Sequence, residues 1–246
     1  MSKDLFSGHA AGYAQYRPHY PGELINYIVS LTNEQVRAWD AATGNGQAAI
    51  LLADHFKEVY ATDISSEQLK HAVVKPNIHY STGAAEKTSF PSNHFDLVTM
   101  AQAYHWINGA AFKKEVLRVA KPGGILAVWG YNLISSENHE LDHLIREFYS
   151  QTGPYWEKER KYVDDAYRTI EFDFPPLPSR EFFIDVVWSL EQFTGYLQSW
   201  SAIRKMISLT STDPVNELTP ALKKFWQDNN MLAFRFPIFL KIGRIP

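Results

Sequence analysis

The sequence predicts an α/β protein built on a doubly wound, mostly parallel sheet, and three observations predict it. From residue 36 to about 131, strand-like and helix-like stretches alternate, and each strand-plus-helix unit takes roughly twenty to thirty residues, as βαβ units require. FDLVTMA (95–101) is apolar enough to be buried on both faces, the habit of an inner parallel strand. A glycine-bearing turn follows the first strand and opens the first helix of the alternation.

Taken in order, VRAWDA (36–41) reads as the first strand, followed by the glycine loop and an apolar helix through Leu52. EVYATD (58–63) is a second strand ending at Asp63. SSEQLKHA opens a helix in which Ser65 and Gln68 have the spacing of a capping box. NIHYSTG is a short third strand and FDLVTMA the fourth. GAAFKKEVLRVAKPGG reads as a helix stopped by Lys121, Pro122 and the Gly123-Gly124 pair, and ILAVWGY is the fifth strand.

After Tyr131 the texture changes. Residues 135–172 look helical and polar, with an apolar stripe of Leu141, Leu144, Ile145 and Phe148. FPPLPSR is a loop and EFFIDVVW a strand. Ser189 with Gln192 begins a helix over LEQFTGYLQSWSAI, and Asp213-Pro214 is the N-cap and first turn of another. MLAFRFPIFLKIG closes as a strand. The expected organisation is one domain over 1–246, with an N-terminal helical lid (1–34), a cofactor-binding core (35–131), a helical cap insert (132–180) and C-terminal strands and helices (181–246).

The bulk properties narrow the function. A net charge of −3, with no Lys/Arg cluster, argues against a nucleic-acid partner, which normally needs a basic face. The absence of cysteine removes disulfides, thiolate metal sites and a cysteine nucleophile. The first residues lack the apolar run of a signal peptide, and no stretch approaches membrane-spanning length. A cytoplasmic protein with no membrane partner is the expectation.

Gly44, Gly46 and Ala49 satisfy G-x-G-x-x-G/A, and Asp63 follows nineteen residues after Gly44. Such a loop brings backbone N–H groups to a helix start, and an acid at the end of the next strand can accept hydrogen bonds from ribose hydroxyls. These residues alone suit a nicotinamide or an adenosyl cofactor equally.

Three later blocks go further. GAAEKTSFPSNHFDLVTMAQAYHW carries Ala85-Glu86 after strand three and a polar-aromatic end to strand four. RVAKPGGILAVW sets a Pro-Gly-Gly turn before strand five. With Asp40 leading the glycines, the set resembles class I S-adenosylmethionine-dependent methyltransferases. FSGHAAGYAQYRPHYP and YLQSWSAIRK are similar to the small-molecule, type 11 group that includes trans-aconitate methyltransferase-like proteins. The resemblance covers nearly the whole chain. It implies a Rossmann-like, seven-stranded, mostly parallel sheet with a helical cap inserted after strand five, and S-adenosylmethionine as cofactor.

The resemblance also implies residue roles. Asp40 and the loop Ala42–Gly46, including Gly44, would surround the methionine end of the cofactor. Asp63 would hold the ribose hydroxyls and Ile64 pack on the adenine. Ala85 and Glu86 would lie near the adenine edge, with Gln102 and Ala103 facing the sulfonium. Arg17 is placed to clamp a carboxylate, of the substrate or of the cofactor's methionine moiety. Tyr13, Tyr16, Trp200 and Arg204 would close the acceptor pocket, Trp106 would form its wall, and His105 is the candidate base or hydrogen-bond donor. Where the family carries glycine this chain has Ala42, for which an ordinary negative φ is expected, since a forced positive φ costs about 1 kcal/mol or more. Ala84 replaces a usual acid.

Methyl transfer is an in-line displacement that asks mainly for positioning, and a base only if the acceptor carries a proton. AQAYHWIN lacks the Asn/Asp-Pro-Pro-Tyr type motif of amino-methylating nucleic-acid enzymes. The expected acceptor is a small molecule, a carboxylate on the aconitate-type resemblance, acted on by a monomer or homodimer. A non-catalytic cofactor-binding module with the same fold is the alternative. HELDH (139–143) matches the H-E-x-x-H zinc motif, but at helical spacing His139 and His143 oppose the apolar stripe, so no metal site is expected.

Overall fold

A computed structural model describes residues 16–227 and 230–246; Tyr13 lies outside them. Helix α1 (Gly22–Ser30) precedes an alternation of β1 (Arg37–Ala41), α2 (Gln47–Leu52), β2 (Glu58–Asp63), α3 (Ser66–Lys70), β3 (Ile78–Thr82), β4 (Phe95–Ala101), α4 (Gly109–Val119) and β5 (Ala120–Tyr131). Then come β6 (Ser135–Ser136), α5 (His139–Gln151), α6 (Arg160–Asp164), β7 (Phe182–Trp188), α7 (Leu190–Gln198), α8 (Ser201–Thr210), α9 (Pro214–Leu222) and β8 (Leu232–Arg244). The sheet runs β3-β2-β1-β4-β5-β8, and the strands from β3 to β5 are parallel. β8 enters antiparallel beside β5, with β7 on its outer edge and the two-residue β6 continuing the β5 edge. The order reverses between β1 and β4, and ligands of open α/β sheets bind at the strand ends of such a switch point.

Alternate side chains split the core into two layers. Ala38, Leu97, Ile125, Ala127 and Trp129 point to one face, where α1, α2, α5, α7 and α9 cover them. Trp39, Val98, Met100, Leu126 and Val128 point to the other, under α4 and the segment carrying Val163, Tyr167 and Phe174. Residues 132–180 therefore feed both layers. α5 turns Leu141, Ile145 and Phe148 inward, and leaves the His143 side chain 73% exposed beside Glu147. Glu140 pairs with Lys224.

Capping decides several boundaries. Ser65 accepts from the Gln68 N–H, Ser189 and Gln192 form a full capping box, and Asp213 accepts from the Val215 N–H. Two expectations need correction. The chain enters β5 at Ala120, and Lys121 to Gly124 form an irregularity within the strand, where pairing jumps from Phe95↔Ala120 to Leu97↔Ile125. The long helix expected after Ser189 is two, α7 and α8, separated at Ser199-Trp200.

Two buried acids stiffen the site's supports. Asp96 accepts from the Val36 and Arg37 N–H groups at 3.0 and 2.8 Å and pairs with Lys121, pinning the start of β1 to β4 and β5. Burial would raise the Glu115 carboxyl, yet hydrogen bonds from Arg118 and Thr88 hold it at about 2. That network clamps residues 88–90, just after Ala85-Glu86, onto α4.

Candidate functional site

The carboxyl ends of β1, β2 and β4 open into a cleft with about 1060 Å3 of empty space, counting its open mouth. Its floor is the loop between β1 and α2, where Ala42, Gly44 and Gly46 all adopt left-handed backbone, at φ +53°, +58° and +83°. The ordinary φ expected of Ala42 is thus overturned. The loop closes through Thr43 N–H to Thr62 O (2.9 Å), Gly46 N–H to Thr43 O (3.0 Å) and Gly44 N–H to Asp63 Oδ2 (2.8 Å), and that closure forces the conformation whichever residue stands at 42. A left-handed alanine costs about 1–2 kcal/mol, which glycine would remove while adding unfolded-state entropy. Ala42→Gly is therefore expected to stabilise the protein by about 0.5–1 kcal/mol, read as a higher urea midpoint. A lowered midpoint would contradict it.

Asp63 stands at the rim, its Oδ1 accepting from Ser65 N–H at 2.8 Å and its Oδ2 from Gly44. Each oxygen has further lone-pair capacity. Beside it Ile64 is 37% exposed, an apolar surface on which a flat ring can lie. Ala85 and Glu86 line the opposite wall, with Glu86 Oε1 accepting from Asn108 N–H at 3.1 Å. Gln102, at φ +54°, and Ala103 line the end of β4. Two strained non-glycine residues, Ala42 and Gln102, thus share one cleft, as functional sites often show. Arg17 also reaches the wall, donating to Tyr131 Oη (3.2 Å) and Ser199 O (3.0 Å) and lying over the Tyr196 ring.

A second pocket, partly open to solvent, adjoins the first, and the two share Arg17, Gln102 and Trp106. His105, Trp156, Glu157, Arg160, Val163 and Ser201 complete it. Arg160 is fixed through Nε, which donates to Tyr149 Oη (2.9 Å) and Asp164 Oδ1 (3.0 Å), and its guanidinium lies 4.6 Å from the Trp156 ring centroid. Glu157 pairs with Lys205 at 2.9 Å.

Several expected site residues lie elsewhere. Asp40 is 1% exposed beneath the loop, where Thr43 and Thr99 hydroxyls donate to it; strand alternation turns it away from the cleft, and burial pushes its carboxyl up to about 6. Gly46 makes the turn into α2 without reaching the wall, and a side chain there would collide with the Tyr80 ring. Trp200 is core, packed among Phe148, Tyr149, Trp156 and Tyr196. The break before α8 brings Ser201, not Trp200 or Arg204, to the second cavity. Tyr16 covers Gly195, whose missing Cβ would fall 2.6 Å from its ring.

His105 is 8% exposed, with Nδ1 at 2.7 Å from Tyr167 Oη. Burial, aided by the charge of Arg160, pushes it down to about 3, so at neutral pH it is an uncharged and weak base. Of the two roles expected of His105, base or hydrogen-bond donor, this protonation state favours the second. Sequence reading missed Tyr20, Gln68 and Tyr131 in the cleft and Trp156, Glu157, Arg160 and Ser201 in the second cavity. Gln68 had read only as a capping partner, and Arg160 sits in the charged run EKERKYVDD, which has no periodicity to flag it.

No helix among the described residues is long and apolar enough to cross a membrane. Residues 39–128 match the family model of a methyltransferase domain. A provisionally named methyltransferase of Dictyostelium discoideum is 32% identical over 249 residues, spanning 98% of this chain and 95% of that one. A solved structure from Anaeromyxobacter dehalogenans, provisionally named a type II methyltransferase, superposes with a TM-score of 0.87 at 34% identity, over 94% of this chain and 98% of that one. A Saccharomyces cerevisiae protein provisionally named as an S-adenosylmethionine-dependent methyltransferase is 27% identical, over 71% of this chain and 61% of that one. A left-handed glycine loop, an anchored acid at the end of β2 and an apolar shelf beside it suit an adenosyl cofactor, and with these likenesses the chain belongs to the class I S-adenosylmethionine-dependent methyltransferases.

Proposed function

We propose that this methyltransferase transfers the methyl group to a carboxylate of a small organic acceptor held in the second cavity. The observation that carries the reading is the junction of the two cavities at Arg17, Gln102 and Trp106. S-adenosylmethionine supplies a methyl group already activated on a sulfonium. The chain has then to orient the acceptor for in-line approach and exclude water, which contributes through effective molarity. In this reading Asp63 holds the ribose, Ile64 supports the adenine, and Ala42, Gly44, Ala85, Glu86, Gln102 and Ala103 line the remainder. Arg17 and Arg160 put two guanidinium groups at the acceptor cavity, where Arg160 also pairs with Asp164 and Glu157 is paired by Lys205.

A carboxylate is ionised at neutral pH and attacks without a base, which agrees with the low basicity of His105. A net charge of −3 supports a small-molecule acceptor over nucleic acid. The test is turnover against panels of small carboxylates, phenols and amines, with products identified by mass spectrometry. Base-labile methyl esters are expected, and Arg160→Gln should raise the acceptor KM about tenfold or more while leaving S-adenosylhomocysteine affinity unchanged. Methylation confined to amines would refute the carboxylate reading. Cofactor binding without turnover on any panel would favour a non-catalytic module.

A further inference from the structure

Tyr167 is the one contact that fixes the orientation of the His105 ring among the hydrogen bonds of the described residues. We propose that Tyr167 is a positioning residue that holds His105 in the Nε2–H tautomer, so that His105 meets the acceptor as a hydrogen-bond donor. The inference rests on the reading of the second cavity as the acceptor site.

Counting donors and acceptors decides the tautomer. Tyr167 is fully buried, and the one hydrogen bond of its hydroxyl among the described residues is the one to His105 Nδ1. Were Nδ1 protonated, it would donate to the phenolic oxygen and the buried hydroxyl proton would have no acceptor. With Nδ1 bare, the hydroxyl proton goes to Nδ1 and no buried donor is left without a partner. The ring proton must then sit on Nε2. That atom is not among the buried polar atoms left without a partner, and His105 lines the second cavity.

The chain holds Tyr167 there at a conformational cost. Ala166 and Tyr167 are consecutive left-handed residues, at φ +51° and +57°, after the short α6. Such a turn persists only where its surroundings over-determine it. Here the Tyr167 N–H donates to Tyr162 O at 2.8 Å, and the ring packs edge-on to Phe239 at 4.7 Å. Around His105 the ionisable neighbours are Tyr104 and Tyr167 on one side, and Arg17, Arg160 and Glu157 around the cavity. Arg160 opposes protonation of the ring, which keeps it a neutral donor. A group with oxygen lone pairs suits Nε2–H; an ammonium does not.

Nitrogen-15 NMR of the full chain tests this, with His105 assigned by its loss in His105→Gln. In the wild type Nε2 should be protonated and Nδ1 bare from about pH 8 to about pH 5, below the usual histidine titration. In Tyr167→Phe, Nδ1–H should become populated and the ring should titrate at higher pH, with S-adenosylhomocysteine affinity unchanged. With that ligand saturating, benzoate should shift the Nε2 proton and benzylamine should not. Nδ1–H in the wild type, or an unchanged tautomer in folded Tyr167→Phe, overturns the positioning role. No benzoate shift overturns the donor role. Should Tyr167→Phe fail to fold, the wild-type tautomer alone decides. Failure to bind S-adenosylhomocysteine would count against the parent reading only, because the tautomer is read without ligand.

Discussion

Replacing Asp63 with alanine is expected to weaken S-adenosylhomocysteine binding by about 100-fold or more in calorimetry, with little change in thermal stability. A hydrogen bond to a charged acceptor contributes about 1.5–3 kcal/mol, and two to the ribose hydroxyls would exceed the roughly 2.7 kcal/mol that a hundredfold represents. The same side chain also ties the loop to β2 through Gly44 N–H and orders Ser65 N–H, so the alanine variant loosens the floor of the cleft as well. Stability should fall only modestly, because Gly44 and Ser65 line the cleft, where water can take the place of the carboxylate. Asp63→Asn separates the two contributions. It keeps one carbonyl oxygen but offers an amide where donors already converge, and a loss of about tenfold is expected. Unchanged affinity in Asp63→Ala, with the wild type binding well, would mean that the ribose does not sit at this acid.

The parts of this site that were legible in the sequence are those written by strand periodicity. β2 and β4 match the residues expected for them, and Asp63 and Gln102 at their carboxyl ends, like the glycines after β1, therefore fell where the topology puts a ligand. Asp40 was misplaced by the same logic. A residue within the strand points up or down from the sheet, and it is the residues at or past the strand's end, such as Asp63 and Gln102, that face the cleft. Ala42 was misread because a positive φ leaves no mark on the residue that bears it. It is imposed by Thr43 and Gly44 closing onto Thr62 and Asp63. The second cavity was illegible for another reason: Arg17, Arg160 and Ser201 come from three distant segments and meet only through tertiary packing. Trp200 shows the limit of helical spacing, since a break of two residues before α8 sends it into the core.

Asp40 makes the fold less stable as pH rises. Its carboxyl is raised from 3.8 to about 6 by burial, against the lowering hydrogen bonds from Thr43 and Thr99 and with a further rise from Asp63. At 1.36 kcal/mol per pH unit, the protonated form stabilises the fold by on the order of 3 kcal/mol relative to the ionised one. Because the folded value lies above the unfolded one, that stability is fully present below pH 3.8 and is lost as pH rises through about 6. His105 works the other way. Lowered from 6.5 to about 3, it adds stability above pH 6.5 that is lost as pH falls through about 3. The two overlap between pH 4 and 6, roughly, so the wild-type slope alone is their difference. Asp40→Asn removes the first and leaves the second. Between about pH 4.5 and 7.5, the urea-derived stability of the wild type should therefore fall by about 2 kcal/mol relative to Asp40→Asn. The asparagine amide must face two hydroxyls and a crowded loop, so this variant is expected to start below the wild type at acid pH and close the gap as pH rises. Parallel curves would show that Asp40 is already ionised in the fold at acid pH, and that the loop floor is stiffened by a buried charge instead of a shared proton.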